Sequence, residues 1–563
     1  MSAVAILIIG LICLAIGYFV YGAWLERQWG VDNSKPTPAH TMADGIDYVP
    51  AKAPVLLGHH FSSIAGAGPI NGPIQAAFFG WLPCLLWILV GGIFFGAVHD
   101  YGSLLASVRH KGASIGEVIA QNVGLRAKRL FLIFAYLTLL LVVAAFASIV
   151  AGTFNGFDKA GALIEANGNT ATISILFIIM AIVFGFCVYR KNYPLSVCTV
   201  AGIIALIICI VIGTNFPIYI AGSTWMYILG VYILIASVTP VWILLQPRDY
   251  LSSFLLYAMM ILAFIGILAA HPTLELPAYV GFAVNGQYLF PVLFVTIACG
   301  AISGFHSLVS SGTTAKQLNC EKDARLIGYG GMLIECALAI VSLIAIAYIF
   351  GQKGADAFKI PPTAVFASAI SQMLGSVGLE SPEAQKSAYG LLILAVSAFC
   401  LTSLDTATRL ARYVFQEFWL NPGETLETVT GIRKTLTNKY VATVITAILG
   451  IGFGLTGWAK IWPLFGAANQ LLAGLALLAV AAWLKNAARN HRMLIIPMIF
   501  MIIVTLTSLA FTFKNKMAAI TSGAGDAAAY SQGILSAILF ILALVLVKEA
   551  LPVLRRKSGK EQQ

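Results

Sequence analysis

Charge is what this sequence has least of. Only 10% of its 563 residues are Asp, Glu, Lys or Arg, while 59% are hydrophobic. A soluble domain carries about 25% charged residues, so most of this chain cannot face water. A soluble enzyme, a disordered protein and a nucleic-acid binder are excluded at this step. The formal charge of +11 does not restore the nucleic-acid reading, because the Lys and Arg excess of a multi-span protein collects in its cytoplasmic loops. Cysteines are few and unpatterned. Eight of the nine lie in apolar runs, Cys320 alone is in a loop, and no C-x-x-C pair occurs. They read as small apolar residues, with neither a disulfide framework nor a metal site. There is no H-E-x-x-H, and no G-x-x-x-x-G-K-[ST] loop for ATP, so no cofactor is expected and energy must come from an ion gradient.

What is present is a series of long, continuous apolar runs. A bilayer-spanning helix needs about 20 apolar residues, which leaves room for roughly 15 spans; a β-barrel would alternate instead. The expected segments are 3–25, 58–75, 76–98, 129–151, 171–189, 195–214, 225–245, 251–270, 288–310, 330–350, 388–406, 440–456, 461–484, 492–512 and 532–551. Stretches 113–124 and 362–375 read as surface or interfacial helices. The first run has no basic region ahead of it and no cleavage site after it, so it reads as a retained helix. Lys and Arg counted on alternate sides split 27 to 7, the seven being Lys159, Lys353, Lys359, Lys386, Lys460, Lys514 and Lys516. The larger count includes a basic tail with Arg555, Arg556, Lys557 and Lys560. This split predicts an outside N-terminus and a cytoplasmic C-terminus.

Two segments are broken by proline. Segment 58–75 carries Gly66, Gly68, Gly72, Pro69 and Pro73, which no continuous helix tolerates. Irregular backbone at membrane depth persists only where protein buries it or it lines a cavity. Five crossings later, Pro240 and Pro247 interrupt the stretch 236–250. Interrupted helices at matching positions of two inverted halves mark the site of a secondary transporter. The expected organisation is an extra helix and loop at 1–57, a ten-helix core at 58–410 with interrupted first and sixth helices, and additional helices with the basic tail at 411–563.

The run GHHFSSIAGAGPINGP, with FGWLP, GAVHDYGSL, TPVWILLQPRDYL, CGAISGFHSLVSSGTTAKQL, IGYGGMLIE, LTSLDTATRLARY and WPLFGAANQLLAGLAL, resembles the carbon starvation protein A family. These motifs extend from about residue 55 to 480. The resemblance implies an all-α, LeuT-like 5+5 inverted-repeat fold in the inner membrane. It also implies uptake of peptides or, in some members, pyruvate with protons during carbon limitation. This chain lacks the long C-terminal extension of some members.

Freed backbone amides around Ala65, Gly66, Ala67 and Gly68, ahead of a helix N-terminus, suit a carboxylate. Ser62, Ser63, Asn71 and Gln75 add polar groups nearby, and Pro240 and Trp242 mark the second break; Trp242 reads equally as core packing. His59 and His60 either relay a proton or form a pair at the water interface. His306, late in an apolar helix, is a costly ionisable group that is expected to face a cavity. Glu335 either carries a proton or holds a neighbouring helix. Ser303, Ser307 and Ser310 around His306 pack helix against helix, or, as related folds imply, approach the first core helix at a cation site. His99 with Asp100, Arg248 with Asp249, and Asp405 with Arg409 read as gate-closing pairs at cytoplasmic helix ends, the last four residues apart on one helix face. Asn469 and Gln470 read as an interhelical hydrogen-bonding pair outside the ten-helix core. The expected partners are a small-molecule substrate, a coupling proton and the lipid bilayer, with no nucleic acid. A channel would need a filter or ring built by symmetry, and a nutrient sensor retaining the transporter fold is the other alternative; neither an enzyme nor a metal site is expected.

Overall fold

A computed structural model describes residues 2–45, 48–158, 160–191, 193–240, 242–421 and 423–555, without the side chains of 554 and 555. Lys159 and the tail residues Arg556, Lys557 and Lys560 lie outside the described residues, and the Arg555 side chain is likewise not described. The protein is an all-α polytopic membrane protein, with eleven helices long and apolar enough to cross a bilayer among the described residues. In chain order the elements are α1 (Ala3–Trp29), α2 (Ala53–Ile64), α3 (Gly68–Ala76), α4 (Trp81–Arg109), α5 (Ile115–Asn122) and α6 (Leu125–Phe154). There follow α7 (Glu165–Arg190), α8 (Leu195–Asn215), α9 (Gly222–Val238) and α10 (Leu245–Ala270). A two-stranded hairpin, β1 (Ala283–Val284) and β2 (Gln287–Tyr288), comes next. Its turn is Asn285-Gly286, both at positive φ, the residue pair that favours a two-residue hairpin.

The second half holds α11 (Leu289–Thr296), α12 (Phe305–Gly312), α13 (Gly331–Lys353), α14 (Pro362–Met373) and α15 (Pro382–Phe418). It closes with α16 (Lys439–Gly454), α17 (Trp458–Asn486), α18 (Arg492–Thr521) and α19 (Ala527–Val553). Both expected short helices are present as α5 and α14. Ser114 accepts a hydrogen bond from the Glu117 amide at the start of α5, the ordinary N-cap arrangement. Gly112-Ala-Ser114-Ile-Gly116 fits the G-x-S-x-G pattern. Ser114 there caps a helix and donates to Glu417, which is not the strand-to-helix elbow of a hydrolase nucleophile.

Loop contacts define two faces. On one, the Ala51 amide donates to Gln317 O, Arg109 pairs with Glu321 and Arg325 with Glu26. On the other, the Ala3 amide donates to Pro272 O and the Val280 amide to Phe79 O. Residue 51 is thus on the first face and residue 79 on the second, so the broken segment α2–α3 crosses between them. α17 is at the centre, its most apolar window wholly buried, whereas α8 is only 22% buried over its window and forms the periphery.

The second break is not where proline suggested. α9 runs unbroken to Val238 and α10 begins at Leu245, so Pro240 falls in the link between two helices. Pro247, in the first turn of α10, removes a donor that has no intrahelical partner there anyway. The chain is interrupted instead between α11 and α12, over residues 297–304. That stretch, Ile-Ala-Cys-Gly-Ala-Ile-Ser-Gly, is apolar with two glycines and no proline, so hydropathy alone reads it as continuous helix.

Candidate functional site

The two interruptions meet. Between Ile64 and Gly68 only three residues leave the helix, and Pro69 enters the first turn of α3, where its fixed φ suits a helix start. A Cβ on Gly72 would approach Thr296 O to 2.7 Å, and one on Gly68 would overlap the Cys299 side chain. Glycine at these positions lets the two backbones touch. The loosened backbone of the second break is held by α17. The Gly304 amide donates to Asn469 O at 3.1 Å. The Phe305 amide donates to Asn469 Oδ1 at 2.8 Å, and Asn469 Nδ2 donates to Ser303 Oγ at 3.0 Å. Gln470 Nε2 donates to the carbonyls of Phe294 and Ile297. Asn469 and Gln470 thus make the interhelical bonds expected of them, and they replace the helical bonds that a break forfeits.

Directly after the second break lies a buried cluster of four ionisable side chains. His306 Nδ1 donates to Asp100 Oδ2 at 2.8 Å, and His99 Nδ1 donates to Asp100 Oδ1 at 2.6 Å. With Nδ1 committed, His306 Nε2 faces Glu335 Oε2 at 3.4 Å. All four residues are wholly buried, and neither Glu335 oxygen has a hydrogen-bond partner among the described residues. A bare nitrogen lone pair facing a bare carboxylate in an apolar site is unfavourable, so this pair is a place for one proton. His99 and Asp100 therefore belong to this cluster in the interior of α4, not to a gate at a helix end.

A second buried cluster sits at the junction of α9, α10 and α15. Arg248 pairs with Asp405, and also with Asp249 at 2.9 Å. Tyr232 donates to Asp405 at 2.6 Å. Asp405 does not pair with Arg409 as the four-residue spacing suggested. Arg409 instead donates to the carbonyls of Ala236 and Thr239, and Arg412 to that of Ser237. These are carbonyls that the end of α9 leaves without helical donors, and cations are favoured at that pole. His59 Nδ1 lies 3.6 Å from Asp249 Oδ2, whereas His60 Nδ1 shares a hydrogen bond with Thr314 Oγ1 at 2.8 Å. Neither histidine is at the water interface: His60 is fully buried and the His59 side chain is 12% exposed.

Other expected residues divide plainly. Ser62 donates to the carbonyls of Gly58 and Asp249, and Ser63 to that of His59, so both hydroxyls are spent on backbone. Ala65, Gly66, Ala67 and Gly68 lie at the crossing, but the Ala65 amide donates to Phe61 O and the Gly66 amide to Ile64 O, so these two are not the freed donors expected, because the end of α2 tightens into a last turn. Asn71 Oδ1 and Gln75 Nε2 are buried without hydrogen-bond partners among the described residues. Pro240 is exposed, and Trp242 packs on Phe186 beneath Arg190; neither reaches the breaks. Ser303 belongs to the second break and Ser307 donates to Gly304 O, while Ser310 Oγ is buried without a partner among the described residues.

Two cavities open toward the face that carries residues 79 and 272. The larger, about 890 Å³, has Gln75, Thr296, Trp458 and Leu464 among its lining. The smaller, about 440 Å³, is reached by Asn71. Trp458, Pro361 and Pro362 line both and so stand between them. Above the larger cavity, Lys460 donates to Asp526 at 2.8 Å. That hydrogen bond holds the Asp526 carboxyl below the usual carboxylate range.

Comparison with known proteins places this geometry. The family profile described as carbon starvation protein CstA matches residues 2–358 and 354–508. A peptide transporter CstA of Bacillus subtilis (strain 168) is 32% identical, over 98% of this chain and 96% of its own length. A pyruvate/proton symporter BtsT of Escherichia coli (strain K12) is 30% identical, over 90% of this chain and 81% of its own. Among solved structures, a manganese transporter of Eremococcus coleocola, in complex with an aromatic bis-isothiourea substituted compound, aligns with a TM-score of 0.50 at 14% identity. That alignment covers 91% of this chain and 98% of the other, and it is a likeness of fold alone.

Proposed function

The chain belongs to the carbon starvation protein CstA family, and from that premise we propose that it is a proton-coupled secondary transporter taking up peptides or a small carboxylate such as pyruvate. Relatives bearing both names support the substrate class. The observation that carries the coupling is the His306–Glu335 pair, which needs a proton and whose histidine lies in the first turn of α12, directly after the second break. Protonation there adds positive charge near the crossing, where a carboxylate would meet the backbone of residues 67–68 at the start of α3. Proton and substrate then favour each other's binding, reciprocally in equilibrium affinity.

The architecture behind this reading is two inverted repeats. α2–α3, α4, α5 and α6 recur in type and order as α11–α12, α13, α14 and α15. The second half of each broken helix packs on the first long helix of the opposite repeat: α3 on α13, and α12 on α4. The second repeat then starts near residue 289, seven crossings after the first, and an odd spacing preserves the inversion. The transport core extends past residue 410 to include α17. With α9, α16 and the two broken helices added to the eleven long ones, the chain makes about fifteen crossings. The excess of Lys and Arg in alternate loops supports an outside N-terminus and a cytoplasmic C-terminus, and in that orientation both cavities face outward.

Purified protein in liposomes, given labelled dipeptide or labelled pyruvate under imposed gradients, tests the reading. Accumulation driven by an inward proton gradient is expected. Accumulation that follows sodium and ignores the proton gradient would replace the proton with sodium and move attention to Ser303, Ser307 and Ser310.

A further inference from the structure

The larger cavity has a one-sided charge pattern. Among the described residues the loops and helix ends of its face carry six lysines and seven carboxylates, so the face as a whole is not basic. Yet the charged residues that line the cavity are Lys359, Lys460, Lys514 and Lys516, with no carboxylate among them. Asp356 and Asp526 pair with Lys359 and Lys460 from outside the lining. Lys514 and Lys516 add two further positive charges on the last turns of α18. At the floor, Gln75 offers a buried Nε2 donor without a hydrogen-bond partner among the described residues. Below it, Gly72 packed on Thr296 closes the way to the crossing.

We propose that this vestibule is an entry site for anions, in which Lys514 and Lys516 gather the substrate's carboxylate before it reaches the broken helices. The proposal rests on the transporter reading and adds the residues that set its charge preference. A cleft with low-dielectric walls and charge of one sign concentrates counter-ions and raises their on-rate by about tenfold or more, an effect that salt suppresses. Neither lysine touches the crossing or the proton pair, so their loss acts on capture and leaves turnover unchanged. The shared chemistry is a carboxylate, which a dipeptide and pyruvate both carry.

Two measurements on Lys514→Gln/Lys516→Gln test this. The first needs no substrate. Thr512→Cys places a thiol in the lining, and its conversion to a mixed disulfide, with release of methanesulfinate, by a sulfonate-bearing and a trimethylammonium-bearing methanethiosulfonate is compared, with protein lacking Thr512→Cys as the blank. The sulfonate reagent is expected to have the advantage at low salt, and the ratio of the two rates to fall about tenfold in the double variant. A ratio unchanged by the substitutions overturns the proposal. The second is uptake of dialanine, dialanine amide and pyruvate. KM for the anion pyruvate is expected to rise several-fold at low salt with Vmax unchanged, that for zwitterionic dialanine to rise less, and that for the cationic amide not to rise. An altered ratio of the two modification rates with unaltered KM for both carboxylates also overturns the proposal. Wild-type protein that moves none of these compounds refutes the transport reading, and with it capture of a substrate here; the ratio of modification rates then reports on the field alone.

Discussion

Asp405 forms its ion pair with Arg248, which is 157 residues away in the chain, and not with Arg409 one turn along its own helix. The pair ties α15 to the start of α10, and Tyr232 adds α9 to the same junction. Arg409 is free to hold the end of α9 because Asp405 is engaged elsewhere. The two arginines therefore fail in different ways when removed.

Removing one partner of a buried ion pair costs about 3–5 kcal/mol, because the other charge is left uncompensated. Asp405→Ala is expected to lower the thermal unfolding midpoint in detergent more than Arg409→Gln does. Arg409→Gln leaves two backbone carbonyls wanting donors, at about 1–3 kcal/mol. Equal shifts for the two variants would mean that the Arg248 pair does not carry the junction.

At the other cluster, uptake of labelled substrate is to be measured from pH 5 to 9. His306 is faced by Asp100 and Glu335, with His99 on Asp100 and His60 on the adjoining helix. His306→Gln is expected to flatten the pH dependence of substrate affinity and to lose accumulation while retaining exchange. Glu335→Gln, which keeps a neutral group facing Nε2, should flatten the dependence too. The double variant should add little, since both residues serve one proton. A pH profile identical in slope to wild type for both single variants would remove this pair from coupling.

Gly68→Val is expected to abolish uptake in a protein that still inserts and folds. Its side chain would overlap Cys299, and a β-branched residue resists the loosened backbone at the start of α3. The smaller Gly68→Ala should lose most activity, and Cys299→Gly, which removes both the Cβ and the sulfur that obstruct it, should restore part of it, whereas Cys299→Ala keeps the obstructing Cβ and should restore less. Failure of any Cys299 truncation to rescue Gly68→Ala would show that contact between the two breaks is not what the glycine serves.

Asn469→Ala leaves the Phe305 amide without its acceptor and Ser303 without its donor. A loss of about 1–3 kcal/mol in stability is expected, with uptake falling further than stability alone accounts for. Asn469→Asp preserves the acceptor at the Phe305 amide and should retain more activity than the alanine variant. If the order is reversed, the Nδ2 bond to Ser303 is the one that matters.

Much of this arrangement was legible in the residues. Gly66, Gly68, Pro69, Gly72 and Pro73 announce the first break, because glycine and proline at that density admit one backbone outcome at membrane depth. The apolar runs announce the helices, and the distribution of Lys and Arg announces two distinct faces. The second break was misplaced because Pro240 is a strong local signal that serves a link between helices, whereas residues 297–304 are loosened by tertiary partners. Their missing helical bonds are supplied by Asn469 and Gln470, more than 160 residues later, and no local pattern reports that. Asp405 misled for the same reason: four-residue spacing makes a pair with Arg409 available, but the fold brings Arg248 closer. The Asn285-Gly286 hairpin carried its own signal and lay between apolar runs that drew attention from it.

His59 and His60 are adjacent on one short helix, yet one looks to Asp249 and the other to Thr314. A rigid α2 cannot swing without disturbing both contacts together. The helix is therefore an interlock: a rigid-body turn that parts His59 from Asp249 also parts His60 from Thr314, so the two contacts are kept or lost as one.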